Sequence, residues 1–472
     1  MHLPSRRWRL FLISLCVAAI GGAGCAGQGG NPEKSVLDDA ARVAGGQALI
    51  HFETHGGPTD VAGDIGPRLT RADAVRLALA NDPDLQVALA KVRAAEADAR
   101  QERLLPNPVL SVIVRFREGG GDPIITADLT ADLLSLLHKP DRERAAERRL
   151  RAAAADALTA VLDLVEQTEE TYVAAQSLEA QVAVLAARRE LLDRLLAMAK
   201  ARVEAGEGTR LDVTTAQGRR LDLEEQVADR QLRRTVKRLA LARLVGRPSG
   251  PTDWELDRWE PPPTSSGAGP ETAWVSAALA NRPEVRARRW ELAAAGDDAA
   301  LAAWDPFKGS DVGAEAERDV DWSAGPSITT PLPLFDWGQA SRAKARAAQV
   351  QARHELTKER RRVVEETRAA YATLVNSQAA LARVRAELVP LQDQQRQQAE
   401  DLYRAGESDL TALLVAEENV QDAREKAVLL QETADTAMIK LRRAVGGRAV
   451  VDDLSRDTEA GRAPAPPPGT TP

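Results

Sequence analysis

The stretch that decides the fold is Arg202-Val-Glu-Ala-Gly-Glu-Gly-Thr-Arg-Leu-Asp212, which interrupts a long helical pattern and returns, altered, as Tyr403-Arg-Ala-Gly-Glu-Ser-Asp-Leu410. In each copy Ala-Gly-Glu falls where one helix stops and the next begins. Gly206 and Gly406 can take the positive φ that ends a helix, and Asp212 or Asp409 puts negative charge at the positive end of the returning one. The two glycines are 200 residues apart. So are Ala78-Leu-Ala-Asn-Asp-Pro83 and Ala278-Leu-Ala-Asn-Arg-Pro283, and Val245-Gly246 and Val445-Gly446. Three landmarks at one offset mean a duplicated unit rather than chance likeness between alanine-rich helices.

Outward from the first tip, helical spacing runs from Pro140 to Gly206, roughly 100 Å at 1.5 Å per residue. Leu178, Val182, Leu185, Leu192, Leu196, Ala199 and Val203 make a coiled-coil seam along it. The twin helix spans Gly338 to Gly406 and contains Pro390, which predicts a bend. The helix returning from the second tip carries Leu413, Ala416, Val420, Ala423, Ala427, Leu430, Ala434, Ala437 and Leu441. That seam implies a left-handed supercoil, and its alanines permit close approach.

Before each long helix the period changes to two. Leu110, Val112, Val114 and Phe116 alternate with Ser111, Ile113, Arg115 and Arg117; after Gly119-Gly-Gly121, Ile125, Ala127, Leu129, Ala131 and Leu133 alternate with Thr126, Asp128, Thr130 and Asp132. These are two strands of a hairpin with one apolar and one largely polar face. The second unit offers Val312, Ala314 and Ala316 against Asp311, Gly313, Glu315 and Glu317, then a weaker strand, Ser323 to Leu332, limited by Pro326 and Pro331. In a soluble sandwich the apolar faces would meet in a core. In a membrane barrel they face lipid, and Arg115, Arg117, Asp128, Asp132, Glu315 and Glu317 line the water-filled lumen.

The chain divides accordingly: a signal segment over 1–24, a flexible arm over 25–67, the first repeat over 68–246, a connector over 247–270, the second repeat over 271–447, and a disordered Pro-rich tail over 448–472. Arg6, Arg7 and Arg9 precede the apolar run Leu10 to Ile20, a secretory signal too short to span a membrane permanently. Cys16 leaves with it, so a single cysteine remains and no internal disulfide can form. No later apolar run is long enough for a membrane helix, so any crossing is made by strands. Only 3% of the residues are aromatic and the formal charge is −7 with the signs mixed. Long Ala- and Leu-rich helices fit that composition, and nucleic-acid binding does not. The five histidines are scattered, no cysteine pair exists, and Gly206-Glu-Gly208 lacks the strand and lysine of a phosphate loop. No catalytic residue, cofactor or metal site is expected, and the chain is read as a non-enzyme.

Two hairpins give four strands, too few to close a barrel, and an open edge in lipid leaves backbone groups unpaired. Three copies give twelve strands with room for a passage. The expected fold class is therefore mainly α with membrane β: duplicated long coiled-coil hairpins and four β-strands per chain, trimerising into a 12-stranded barrel above an α-helical tunnel.

The duplicated unit, the Ala-Leu-Ala-Asn-x-Pro helix starts, the Pro106-Asn-Pro108 strand entry and the Ala-Gly-Glu tips resemble the outer membrane efflux proteins, the TolC-like family, over roughly residues 68–447. Leu133-Leu-Ser-Leu-Leu-His-Lys-Pro140 is similar to the lipoprotein branch that serves heavy-metal and multidrug RND pumps. Gly22-Ala23-Gly24-Cys25 resembles a lipobox, with Gly22 where that pattern prefers Leu, and implies lipidation of Cys25. The resemblance implies a homotrimer in the lipid of the bacterial outer membrane, its helices in the periplasm, docked to a periplasmic adaptor and through it to an inner-membrane RND-type pump. It further implies that the tips close the tunnel until the adaptor docks, and that carboxylate rings give the entrance a cation preference. The positions that match are Arg202, Gly206, Thr209, Arg210, Asp212, Tyr403, Arg404, Gly406, Glu407, Ser408 and Asp409. Tyr403 matches the tyrosine of an interhelical lock, and Ser408 stands where some members carry arginine. Two rival readings are a periplasmic adaptor, which has one helical hairpin rather than two, and a structural coiled-coil lipoprotein, which has no need of strand pairs.

Overall fold

A computed structural model describes residues 52–61, 65–118, 120–206, 208–261, 269–447 and 450–451. Cys25, the signal segment and the tail from residue 452 onward lie outside the described residues. The architecture has three layers: a small β-sheet at one end, a belt of short helices in the middle, and two very long helical hairpins.

The first repeat begins with β1 (Arg68–Leu69), α1 (Arg71–Asn81) and α2 (Pro83–Arg103). Thr70 caps α1, and Asp82 caps α2 by accepting from the Asp84 and Leu85 N–H groups, with Pro83 at the first position, where its missing donor costs nothing. Two strands follow, β2 (Val109–Arg115) and β3 (Ile124–Asp132), then the short α3 (Leu133–Leu137), α4 (Lys139–Glu204) and α5 (Arg210–Leu244). At 66 residues α4 is about 100 Å long. The connector adds β4 (Glu255–Leu256), which pairs in parallel with β1. Trp254 is buried there, and Trp259 Nε1 donates to Asp435 at 2.6 Å, so both tryptophans hold the connector to the helices.

The second repeat has α6 (Glu271–Asn281), α7 (Pro283–Leu301), a 3-10 turn (Ala302–Phe307), β5 (Asp311–Arg318), β6 (Trp322–Thr329), α8 (Gln339–Arg383), α9 (Val389–Ala405) and α10 (Leu410–Ala444). The returning helices α5 and α10 both have 35 residues, and their ends keep the 200-residue offset. Between α8 and α9 the helix does not simply bend at Pro390. It widens into a π turn over Val384–Leu388, with the Val389 N–H reaching the Val384 carbonyl. Pro390 lacks the N–H that would have reached the Ala386 carbonyl, and the wider turn absorbs the mismatch.

The four long strands form one antiparallel sheet in the order β2-β3-β5-β6. Its register separates the faces. Leu110, Leu129, Ala314 and Pro326 lie in one row and Val112, Ala127, Ala316 and Ala324 in the next; the opposite face carries Ser111, Asp128, Glu315 and Gly325, then Ile113, Thr126, Glu317 and Ser323. Several expected strand boundaries shift: β2 ends at Arg115, short of Phe116 and Arg117. Leu133 leaves the strand because Asp132 caps α3 through the Ser135 N–H, and the last strand ends at Thr329 rather than Leu332. Within a single chain β6 bounds the sheet, a position compatible with proline.

Packing follows the repeats. Leu79, Leu85, Leu89, Val161 and Leu244 form the core of the first, and Trp274, Val285, Leu374, Leu441 and Val445 that of the second. A third cluster joins both tips through Leu192, Leu195, Leu196, Tyr403, Leu410 and Leu413.

Candidate functional site: the helical tips and the sheet lumen

Both tips use one backbone device. α4 ends at Gly206, φ +80°, with the Gly208 N–H returning to the Arg202 carbonyl at 3.1 Å; α9 ends at Gly406, φ +77°, with the Glu407 N–H on the Leu402 carbonyl at 2.9 Å. A left-handed glycine lets the chain fold back onto the last carbonyls of the helix, which would otherwise lack partners. The returning helices start differently. Thr209 and Asp212 form a reciprocal capping box, whereas Asp409 alone accepts the Ala412 N–H at 2.9 Å.

Arg202 and Tyr403 join the tips across the duplication. Arg202 donates to the Tyr403 carbonyl at 3.1 Å, and its guanidinium lies over the Tyr403 ring, 4.7 Å from the centroid. Tyr403 is only 3% exposed. The other charges point outward: Arg210, Glu407 and Asp409 are exposed, and Arg404 turns back to Glu400 and Asp401 on its own helix. Ser408 is half-buried, its hydroxyl 3.5 Å from the Asp409 carbonyl. Behind the tip, Glu417 on α10 is 2% exposed, with Gln421 donating at 3.2 Å and Arg396 4.0 Å away. Burial pushes its carboxyl above the usual range, against the opposing pull of Gln421 and Arg396.

On the polar face of the sheet Asp128 stands opposite Glu315, Asp132 opposite Asp311, and Glu317 opposite Thr126. Like charges directly across a ladder cost roughly a few tenths of a kcal/mol to 1 kcal/mol, a cost that water on that face reduces. Arg115 occupies the last rung, opposite Ile124. Arg117 falls past the end of β2, ion-paired with Asp319 in the neighbouring turn, so it belongs to the hairpin ends rather than to the sheet face. Among the described residues no group of three or more His, Cys, Asp and Glu is placed to hold a metal ion.

One cluster escaped sequence reasoning. Arg282, 1% exposed, lies 2.5 Å from Glu366 and 3.4 Å from Glu284; Arg443 reaches Asp163 at 2.5 Å, Glu284 at 2.7 Å and Glu166 at 3.4 Å. Burial first, then the neighbouring Glu170 and Asp163 charges, push the Glu166 carboxyl up to about 7. A signal was present: at the repeat offset Arg282 replaces the capping Asp82, so the charge pattern inverts at a matched position.

The comparisons agree with this geometry. The model of the family described as "Outer membrane efflux protein" matches residues 74–247 and 274–447, two stretches at the same 200-residue offset. The chain is 28% identical over 374 residues to the fusaric acid resistance protein FusA of Burkholderia cepacia, covering 72% of this chain and 69% of that one. It is 26% identical over 432 residues to the pyoverdine export outer membrane protein OpmQ of Pseudomonas putida, covering 81% and 87%. Its fold matches that of the outer-membrane channel OprN with a TM-score of 0.70 at 20% identity, over 85% of this chain and 99% of that one. Duplicated hairpins, paired glycine tips and a sheet with one apolar face thus converge with the match of both repeats: the chain belongs to the outer membrane efflux protein family and is an efflux channel of the outer membrane.

Proposed function

We propose that three copies close one passive duct, twelve strands through the outer membrane above a helical tunnel, which opens when a periplasmic adaptor docks at the tips. An inner-membrane RND-type pump, coupled through the adaptor, delivers the cargo. Passage requires no bond making or breaking, so the chain carries no catalytic role.

The observation that carries the reading is the pair of free edges. β2 and β6 bound the sheet on either side, each with unpaired backbone groups that lipid cannot satisfy. The helices offer a second seam. Leu232, Val236 and Leu239 are exposed along α5, while Ala372, Ala379 and Ala382 are exposed along α8 at about the same distance from the tip glycines. A row of large residues on one copy fits a row of small ones on the next. The Arg202–Tyr403 contact then acts within each copy as a clasp that keeps both tips together in the closed state.

The test is membrane fractionation followed by gel electrophoresis without heating. The expected result is a band at three times the mass of the exported chain in the outer-membrane fraction, collapsing on boiling to a single-chain band that runs below the 50.8 kDa of the full sequence because residues 1–24 are gone. A single-copy species before boiling would overturn the shared duct.

A further inference from the structure

We infer that the acidic segment 452–459 folds back on its own chain and lies along a strip of arginines on α7 and α8, holding the second repeat as the N-terminal arm holds the first. The inference goes beyond the channel reading and does not depend on how many copies close the duct.

Arg346, Arg353 and Arg360 recur at a spacing of seven on α8. Tyr371 and Arg368 mark which side of the helix that is, because the Tyr371 hydroxyl donates to the Gly269 carbonyl at 2.9 Å and Arg368 pairs with Glu271. Arg353 lies 371 − 353 = 18 residues from Tyr371, or five full turns, so the strip shares the connector's side. Glu355, Glu359 and Glu366 fall away from it around the helix. All three arginines are exposed, and among the described residues none has an ion pair. On α7, Arg286 is likewise without a carboxylate, and the Arg289 guanidinium meets the Leu279 carbonyl at 3.5 Å. Partial burial, then the like charge of Arg360, lower the Arg289 pKa from its ordinary value. The contrast is α4, where Arg142, Arg144, Arg148, Arg149 and Arg151 each meet a carboxylate.

The duplication shows what covers such a path. In the first repeat residues 52–61 run from the end of α5 along α2: the Val61 N–H donates to the Gly246 carbonyl at 2.8 Å, the Glu53 N–H donates to Gln86 Oε1 at 2.9 Å, and the Arg93 guanidinium lies over Phe52, 3.8 Å from its centroid. At the 200-residue offset Gly246 becomes Gly446 and Gln86 becomes Arg286. The second repeat ends at that same place. Val451 is buried in the cluster that holds Leu356 and Val363, about one turn either side of Arg360. Asp452, Asp453, Asp457 and Glu459 follow, with Arg456 the one cation among them. Eight extended residues reach about 26 Å, and Arg346 to Arg360 spans about 21 Å of helix. Starting point, length and charge therefore all fit the strip.

The experiment uses the full chain in detergent and a carbodiimide, which joins a carboxylate to an amine without a spacer, and maps the linked peptides by mass spectrometry. Arg353→Lys puts an amine on the strip and keeps its charge. The expected product is an amide between position 353 and residues 452–459, within one chain on denaturing gels, and lost when R346E/R360E is added. Placing D452K/D453K/D457K/E459K on R346E/R353E/R360E should restore a link with the chemistry reversed, while unchanged circular dichroism shows that each variant is folded. Linkage of 452–459 to Lys344 and Lys358 as efficient as to position 353 would mean an unanchored segment, since both lysines lie on the far flank of α8, and would overturn the docking. So would a link between two chains, which gives the strip to a neighbouring copy. Absence of any link at position 353, together with binding of the intact chain to phosphatidylglycerol vesicles that R346E/R353E/R360E abolishes, would give the strip to lipid headgroups instead.

Discussion

Tyr403 shows how one residue holds two repeats. Its ring fills the shared tip cluster, its carbonyl accepts from Arg202, and its hydroxyl takes no part in the contact. Tyr403→Ala should therefore loosen the tips by about 3 kcal/mol through the lost packing. Planar-bilayer recordings should show more frequent opening. Tyr403→Phe keeps ring and carbonyl and should record like the natural protein. A Phe variant as leaky as the Ala variant would assign the hold to the hydroxyl. Glu166 makes a prediction of different sign. Its folded carboxyl keeps its proton up to about pH 7, against an ordinary value of 4.5. Between those values the folded chain binds more protons than the unfolded one, so stability falls as pH rises through the window. Glu166→Gln should flatten the dependence of Tm on pH between about 4.5 and 7. An unchanged slope would mean that the surrounding cations already hold the carboxylate ionised.

Among the elements, the two long helices match in plan and differ in one turn. α4 runs without a break, whereas its counterpart widens at Val384–Leu388 ahead of Pro390. Arg385 reaches Gln431 and Asp393 lies 2.9 Å from Arg424, so side chains on α10 brace the turn from the other side. Pro390→Ala restores the missing donor and should return this segment to α-helix, a gain of about 1–3 kcal/mol. Hydrogen exchange at residues 384–389 should slow accordingly. Exchange as fast as before would show that the turn is imposed by the packing and not by the proline. The contrast also shows where sequence was legible. The landmarks at offset 200 located both hairpins, and period-two alternation found the strands because each has one wet face and one dry. The π turn was not readable, since Pro390 announces a fault without saying how the helix repairs it. Neither was the pairing of β1 with β4, because two-residue strands have no period to read.

For the molecule as a whole, what the sequence could not convey is how side chains far apart in the chain converge. Asp163, Glu166, Arg282, Glu284, Glu366 and Arg443 come from four helices and the α6–α7 junction, and only packing brings them together. The tip charges were legible one by one, but their division into a half-buried Arg202 packed on the Tyr403 ring and a solvated rim needed the fold. The sheet, by contrast, was legible because its geometry is local and repeats. Its two bare margins constrain biogenesis. A lone newly exported copy has no comfortable residence among acyl chains, since half-built walls expose amide groups to hydrocarbon. Assembly must therefore precede or accompany entry into the bilayer, and a cell that makes too little of this polypeptide will accumulate it on the aqueous side, awaiting two companions.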